Sequence, residues 1–250
     1  MRQLFLIFSF MVIFSGHAAA QSVDLNNVIP PIEGLATGRI VQMVVLLTVL
    51  AVAPGLLIMV TSFTRIIVAL SFLRSGLGLQ STPANLILIS LALFMTFFVM
   101  GPTMDKAWQT GLKPMMDNQI SQETAYKNVV KPFREFMLEH VREKDLAMFQ
   151  GIADRSFGTE EKTGEDQAPE VNLRVLIPAF MISELRRGFE IGFLIALPFL
   201  VIDLIVATIT MSMGMMMLPP TVISLPFKIL FFVLIDGWNL LVGGLIRSFF

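Results

Sequence analysis

Charge is withheld from long stretches of this chain. No charged residue occurs between Arg39 and Arg65, and none between Arg74 and Asp105. An uncharged run of this length is long enough for a helix that crosses a bilayer, which needs about 20 apolar residues. Ile40 to Val60 and Ala84 to Met100 are read as two such segments, with Pro54-Gly55 kinking the first. Two further apolar stretches follow at Phe189 to Met211 and Val222 to Ile246. Most of the charged residues crowd into 105–187, where acids and bases nearly balance. The expected fold is an all-α membrane protein: two apolar helical hairpins with a helical domain inserted between them.

Bulk composition agrees. Hydrophobic residues make up 55% of the chain and charged ones 15%, with a mean hydropathy of +0.75, which is too apolar for an ordinary soluble domain. Net charge is -1, so no nucleic-acid footprint is visible. Cysteine is absent, which removes disulfides, thiolate metal sites and cysteine nucleophiles. No Walker, zincin or nucleophile-elbow motif occurs, and no enzyme, cofactor or metal is expected. His17 and His140 stand apart, and His140 is placed on a solvated helix face.

Residues 1–20 read as a cleavable signal peptide. Arg2 is followed by an apolar run from Leu4 to Phe14 and by Ala18-Ala19-Ala20, so cleavage after Ala20 would leave Gln21 as the first mature residue. The alternative is a first membrane helix, for which the run is short. The organisation is then 21–104 as the N-terminal segment and first hairpin, 105–187 as the polar domain, and 188–250 as the second hairpin. A cleaved signal puts Gln21 outside the cytoplasm. Arg65 and Arg74 make 61–83 a cytoplasmic loop and return 105–187 to the periplasm.

Within the polar domain, Val130, Phe133, Phe136 or Met137, and Val141 recur at helical spacing between charged residues, which predicts an amphipathic helix. Leu146 and Phe149 continue the pattern after a break. Residues 158–169 (GTEEKTGEDQAP) are polar and read as a loop. Gly76, Gly78, Gly192, Gly214, Gly237, Gly243 and Gly244 suit close helix packing.

The second hairpin holds three ionizable residues, Asp203, Lys228 and Asp236. Charges in apolar segments face a partner or a water path. With the turn centred near Pro219, Asp203 lies roughly 24 Å along its helix and Lys228 about 14 Å, at 1.5 Å per residue. That difference argues against a pair within one chain and predicts that a neighbouring subunit satisfies at least one of these charges; snorkelling is the bland alternative. At the domain junction, Glu184 and Arg187 are three apart and are expected to pair locally, or else to bridge subunits.

Five of the 17 methionines fall at Met211, Met213, Met215, Met216 and Met217, before Pro219-Pro220. Methionine re-packs against partners of many shapes, and the proline pair stops a helix. Such a loop between two apolar segments reads as a seal or constriction, or as a turn packed in a core.

Four stretches carry a family resemblance: TSFTRIIVALSFLRSGLGLQSTPAN (61–85), PAFMISELRRGFEIGFLIALPFLVIDL (178–204), MSMGMMMLPP (211–220) and PFKILFFVLIDGW (226–238). The chain resembles the FliP family of flagellar type III export-gate proteins and its virulence-secretion relatives. The leader and the sizeable polar segment look more like the flagellar branch than the injectisome branch. The resemblance implies a homo-oligomer, a pentamer, assembled with FliQ and FliR into a helical export gate near FlhB and FlhA at the inner membrane. Unfolded proteins would pass outward through it, and its hairpins would be shallow rather than fully spanning. It also implies that Met215, Met216 and Met217, with Met211 and Met213 beside them, form a gasket that closes the pore. A small-solute permease subunit using Asp203 and Asp236, and a structural nucleator without a pore, are the rival readings.

Overall fold

The computed structural model describes residues 35–79, 85–157, 171–214 and 219–250. The leader with its expected cleavage at Ala20 and Gln21, the polar loop 158–169 and Met215–Met217 lie outside the described residues. The chain divides into two compact units, Met1–Ala53 and Pro54–Phe250. Helix α1, Leu35–Met59, runs through that division and contains Pro54-Gly55.

The second unit is helical, with no strand among its described residues. Helix α2 (Phe63–Gly76) is followed by α3 (Asn85–Ala107), a π-helical turn (Trp108–Leu112) and the short α4 (Lys113–Met116). Then come α5 (Gln122–His140), α6 (Glu143–Phe157), α7 (Leu173–Ser212), α8 (Pro220–Leu234) and α9 (Gly237–Arg247). The all-α expectation is met. Two continuous stretches are long and apolar enough to cross a membrane: Asn85–Met116 and α7. Helices α8 and α9 together would make a third, but they are bent by 65°.

That bend changes the expected last segment. Val222 to Ile246 is not one helix: it breaks at Ile235-Asp236, where Asp236 takes a left-handed conformation (φ 52°) and accepts from Asn239 Nδ2 at 3.1 Å. Gly237 follows because Phe232 folds back over it, and a Cβ there would overlap the ring.

Within 61–83, read as a loop from its two arginines, Phe63–Gly76 is a helix. Phe63, Ile66, Leu70 and Leu73 share one face at helical spacing, and that face is buried. Helix α2 lies along α7, and small residues set the approach. Val68 meets Gly188, Phe72 meets Gly192, and Gly76 meets Ala196 and Phe199. Each series advances by four residues in the same direction, so the two helices run parallel at this contact. A Cβ on Gly192 would come within 2.5 Å of the Phe72 ring. Of the glycines assigned to close packing, Gly76, Gly192 and Gly237 serve that role. Gly78 and Gly214 instead take positive φ, 76° and 72°, where the chain turns after a helix. Among the described residues, nothing packs within 4 Å of a Cβ at Gly243 or Gly244.

The amphipathic helix expected at 130–141 is the second half of α5. Ser121 caps its start by accepting the Thr124 N–H, and Phe136, Met137 and His140 are buried. The expected break falls at Val141, whose backbone is extended, and α6 resumes from Glu143. Helix α7 starts from Asn172, which accepts the Arg174 N–H at 2.9 Å, and continues for 40 residues. At 1.5 Å per residue that is roughly 60 Å, about twice the thickness of a hydrocarbon core. It passes without interruption through 187, where the polar and apolar parts of the sequence meet, so one rod joins the polar helices to the second hairpin.

Candidate functional site

Two ionic centres lie along α7, the first buried and the second part-buried, and the methionine run begins where that helix ends. The first centre is Arg65 and Glu184. Arg65 Nε donates to Glu184 Oε2 at 2.9 Å and Nη2 to Oε1 at 2.5 Å, and both side chains are wholly buried. The remaining donor, Nη1, reaches Ser248 O at 2.7 Å and Ser248 Oγ at 3.0 Å. The guanidinium lies 3.7 Å from the centroid of the Phe249 ring. Burial lowers the proton affinity of Arg65 from its ordinary value; the hydrogen bond and charge of Glu184 oppose that effect, and the like charge of Arg187 adds to it. The centre thus draws α2, α7 and residues 248–249 together.

Glu184 therefore does not pair with Arg187, contrary to the expectation from their spacing. The carboxylate points to α2, which the close approach of Gly188 to Val68 and to the Arg65 backbone brings within reach. The neighbouring Arg186 pairs along its own helix with Glu190 (2.8 Å). One turn away, Ser183 donates to Asp145 Oδ2 at 2.7 Å and accepts the Arg142 N–H at 3.1 Å, fixing the start of α6 on α7. His140 is also corrected. It is 5% exposed, not solvated, and its ring lies between Phe136 and Phe249.

The second centre is at the hairpin. Lys228 Nζ donates to Asp203 Oδ2 at 2.6 Å and to Gly76 O at 3.0 Å, and Ser224 Oγ donates to Asp203 Oδ1 at 2.6 Å. The Asp203–Lys228 pair that the depth estimate argued against therefore forms within the chain. The depth argument failed because it counted from Pro219 as though the helices met there. Helix α7 ends at Ser212 and α8 begins at Pro220. Counted from those ends, Asp203 lies nine residues back and Lys228 eight residues forward, so the two stand at equal depth. Asp236 is at the exposed corner between α8 and α9, apart from this centre.

Sequence reasoning missed Arg65, Ser224 and the Gly76 carbonyl. A signal for Arg65 was present: a lone cation on the apolar face Phe63, Ile66, Leu70, Leu73 demands a buried acid, and Glu184 lies one helical turn after Phe180 and Met181. Nothing in the pattern pointed to the Gly76 carbonyl, which depends on how α2 meets the hairpin.

Beyond the second centre, Met211 and Met213 are 63% and 68% exposed. Residues 46–245 match the model of the FliP family. The chain belongs to the FliP family. It is 60% identical over 239 residues to the flagellar biosynthetic protein FliP of Rhizobium meliloti, covering 96% of each chain. It is 61% identical over 234 residues to that of Agrobacterium fabrum, covering 94% of each. To the Bacillus subtilis FliP it is 51% identical over 209 residues, covering 84% of this chain and 91% of the relative. As a FliP-family member with membrane-length helices, the chain is a membrane component of the flagellar export apparatus.

Proposed function

We propose that this protein is a core subunit of the flagellar protein export gate and forms, with copies of itself, the channel through which unfolded flagellar proteins cross the inner membrane. Met211, Met213, Met215, Met216 and Met217 seal that channel at rest. The observation that carries this reading is the exposure of Met211 and Met213 at the end of a helix whose C-terminal part is pinned by Asp203 and Lys228. A rigid rod ends in soft, exposed thioether side chains. Apolar side chains left open in this way seek a partner, and methionine fits partners of changing shape, as an unfolded chain in transit would be.

The apolar faces support assembly. Phe94, Phe97 and Phe98 of α3 are 74%, 59% and 65% exposed in the single chain, and lipid or neighbouring subunits must cover them. By family resemblance the assembly is a pentamer with FliQ and FliR, adjoining FlhB and FlhA, with the 105–187 region on the periplasmic side. Arg187 and the exposed Asp236 are the assembly contacts that remain after the other charges close within the chain. The permease reading needs Asp203 and Asp236 to converge, and Asp203 is instead engaged by Lys228 and Ser224. The subunit performs no bond chemistry; it moves a chain through an opening.

Export from a strain lacking this protein tests the proposal. Flagellar filament protein should accumulate inside the cells and disappear from the medium, and the intact gene should restore it. Normal filament export without the protein would contradict the proposal, and loss of injected effectors with intact flagella would favour the virulence-secretion branch.

A further inference from the structure

The His140 ring sits between two carbonyl oxygens. Nδ1 is 2.8 Å from Phe136 O, and Nε2 is 3.3 Å from Phe249 O. A carbonyl oxygen only accepts. A neutral imidazole has one N–H and one lone pair, so either tautomer turns a lone pair toward an oxygen. The imidazolium alone donates to both. The ring is 5% exposed, so water does not replace the missing donor cheaply. It also lies on Phe136, with centroids 4.4 Å apart, and beside Phe249 at 5.5 Å, two π faces that suit a cation.

Phe249 is held from its other side by Arg65, which covers its ring and binds Ser248 through Nη1. The elements that meet near His140 carry these charged residues: Arg65 on α2; Glu184 and Arg187 on α7; Arg247 on α9; and, on its own segment, Glu139 and Arg142. Arg65 and Glu184 compensate one another through their bidentate pair. The hold on Ser248 comes from Arg65 and does not involve the His140 ring. Of the two ring contacts the Nδ1 one is shorter, so the neutral ring keeps its proton toward Phe136 O and it is the 3.3 Å contact to Phe249 O that loses its donor.

We propose that His140 is a proton-dependent latch: as imidazolium it ties Phe249, and with it the end of α9, to the last turn of α5, and on losing its proton it releases that tie. Helix α9 follows the methionine hairpin in the chain, and α5 belongs to the polar helices, so the latch lets proton concentration set how firmly the two are coupled. The inference rests on the His140 geometry and stands apart from the export reading.

Hydrogen–deuterium exchange of residues 245–250 tests it, using the full-length protein in its native membrane complex at about pH 5.5 and about pH 8, on either side of the ordinary histidine range. After division by the intrinsic exchange rate, protection should fall about tenfold at the higher pH, the effect of losing a hydrogen bond from a charged donor. His140→Gln, whose neutral amide donates at both values, should abolish the pH dependence. Equal protection at both values in the wild type, or an unchanged pH dependence in His140→Gln, would overturn the latch. Nitrogen-labelled histidine spectra in a His17→Gln background report the same event without altering His140. Both ring nitrogens should be protonated at the lower pH and one at the higher, in step with protection. A ring whose charge does not change over that range would overturn the latch as well.

Discussion

Arg65 and Glu184 are 119 positions apart in the chain and form a bidentate pair from which water is excluded. Taking both charges out of water is costly, and the pair persists because its remaining donor is also satisfied by Ser248. Its value is positional: the two helices that carry it can close in one register only.

Removing one partner should be severe. Glu184→Ala leaves an uncompensated buried guanidinium, and Arg65→Ala the reverse, each costing about 3–5 kcal/mol. Complex yield on native gels should collapse for either single variant. Arg65→Met combined with Glu184→Leu should recover part of the yield, because well-packed apolar residues avoid the stranded charge. Equal loss from the double variant would point to a function for the charges beyond fixing register.

The hairpin centre should behave differently, since Asp203 is about one-third exposed while Lys228 is nearly buried. Lys228→Met should cost about 1–3 kcal/mol, because the Gly76 carbonyl and Asp203 lose their donor together. Ser224→Ala should cost about 1 kcal/mol. A midpoint shift in thermal melting of the purified complex measures both, and the larger shift should belong to Lys228.

Along the α2–α7 contact, Gly192→Ala should destabilise the protein by about 1–3 kcal/mol, because the added carbon meets the Phe72 ring. Pairing it with Phe72→Leu should relieve the overlap and return part of the melting temperature. A neutral Gly192→Ala variant would mean that α2 can shift along α7.

Gly243 and Gly244 offer the opposite test. Among the described residues, nothing beyond the local helix lies within 4 Å of a Cβ built at either position. Within one subunit, Ala at these sites should therefore be neutral, or stabilising by up to about 1 kcal/mol through helix propensity. If α9 packs on a neighbour there, the Gly243→Leu variant should keep its helix content and lose assembly on native gels. Normal assembly would leave this face to lipid.

Much of this fold was legible because helices announce themselves by period and charge. The apolar runs, the amphipathic second half of α5 and its break at Val141 all followed from spacing. Three errors, at Arg65, Glu184 and His140, share one cause: local sequence carries no information about what another element brings near. Arg65 looked like a loop charge because the buried face of α2 was not weighed against its partner Glu184. Glu184 was matched to Arg187 by proximity in sequence, although the α2 approach at Gly188 decides its direction. The Asp203–Lys228 depth estimate treated the residues between Ser212 and Pro220 as helix, which shifted one strand of the hairpin against the other. His140 was placed in solvent by composition, and Phe249, distant in sequence, covers it.

The central claim is that the methionines close a conduit. Ion leakage across the inner membrane tests it most directly, measured in cells that express the assembled complex with Met215, Met216 and Met217 intact or replaced by Ala. The account predicts a leak in the substituted complex alone, with assembly unchanged, because shorter side chains cannot meet across the opening. A tight membrane around a fully assembled alanine complex would contradict it.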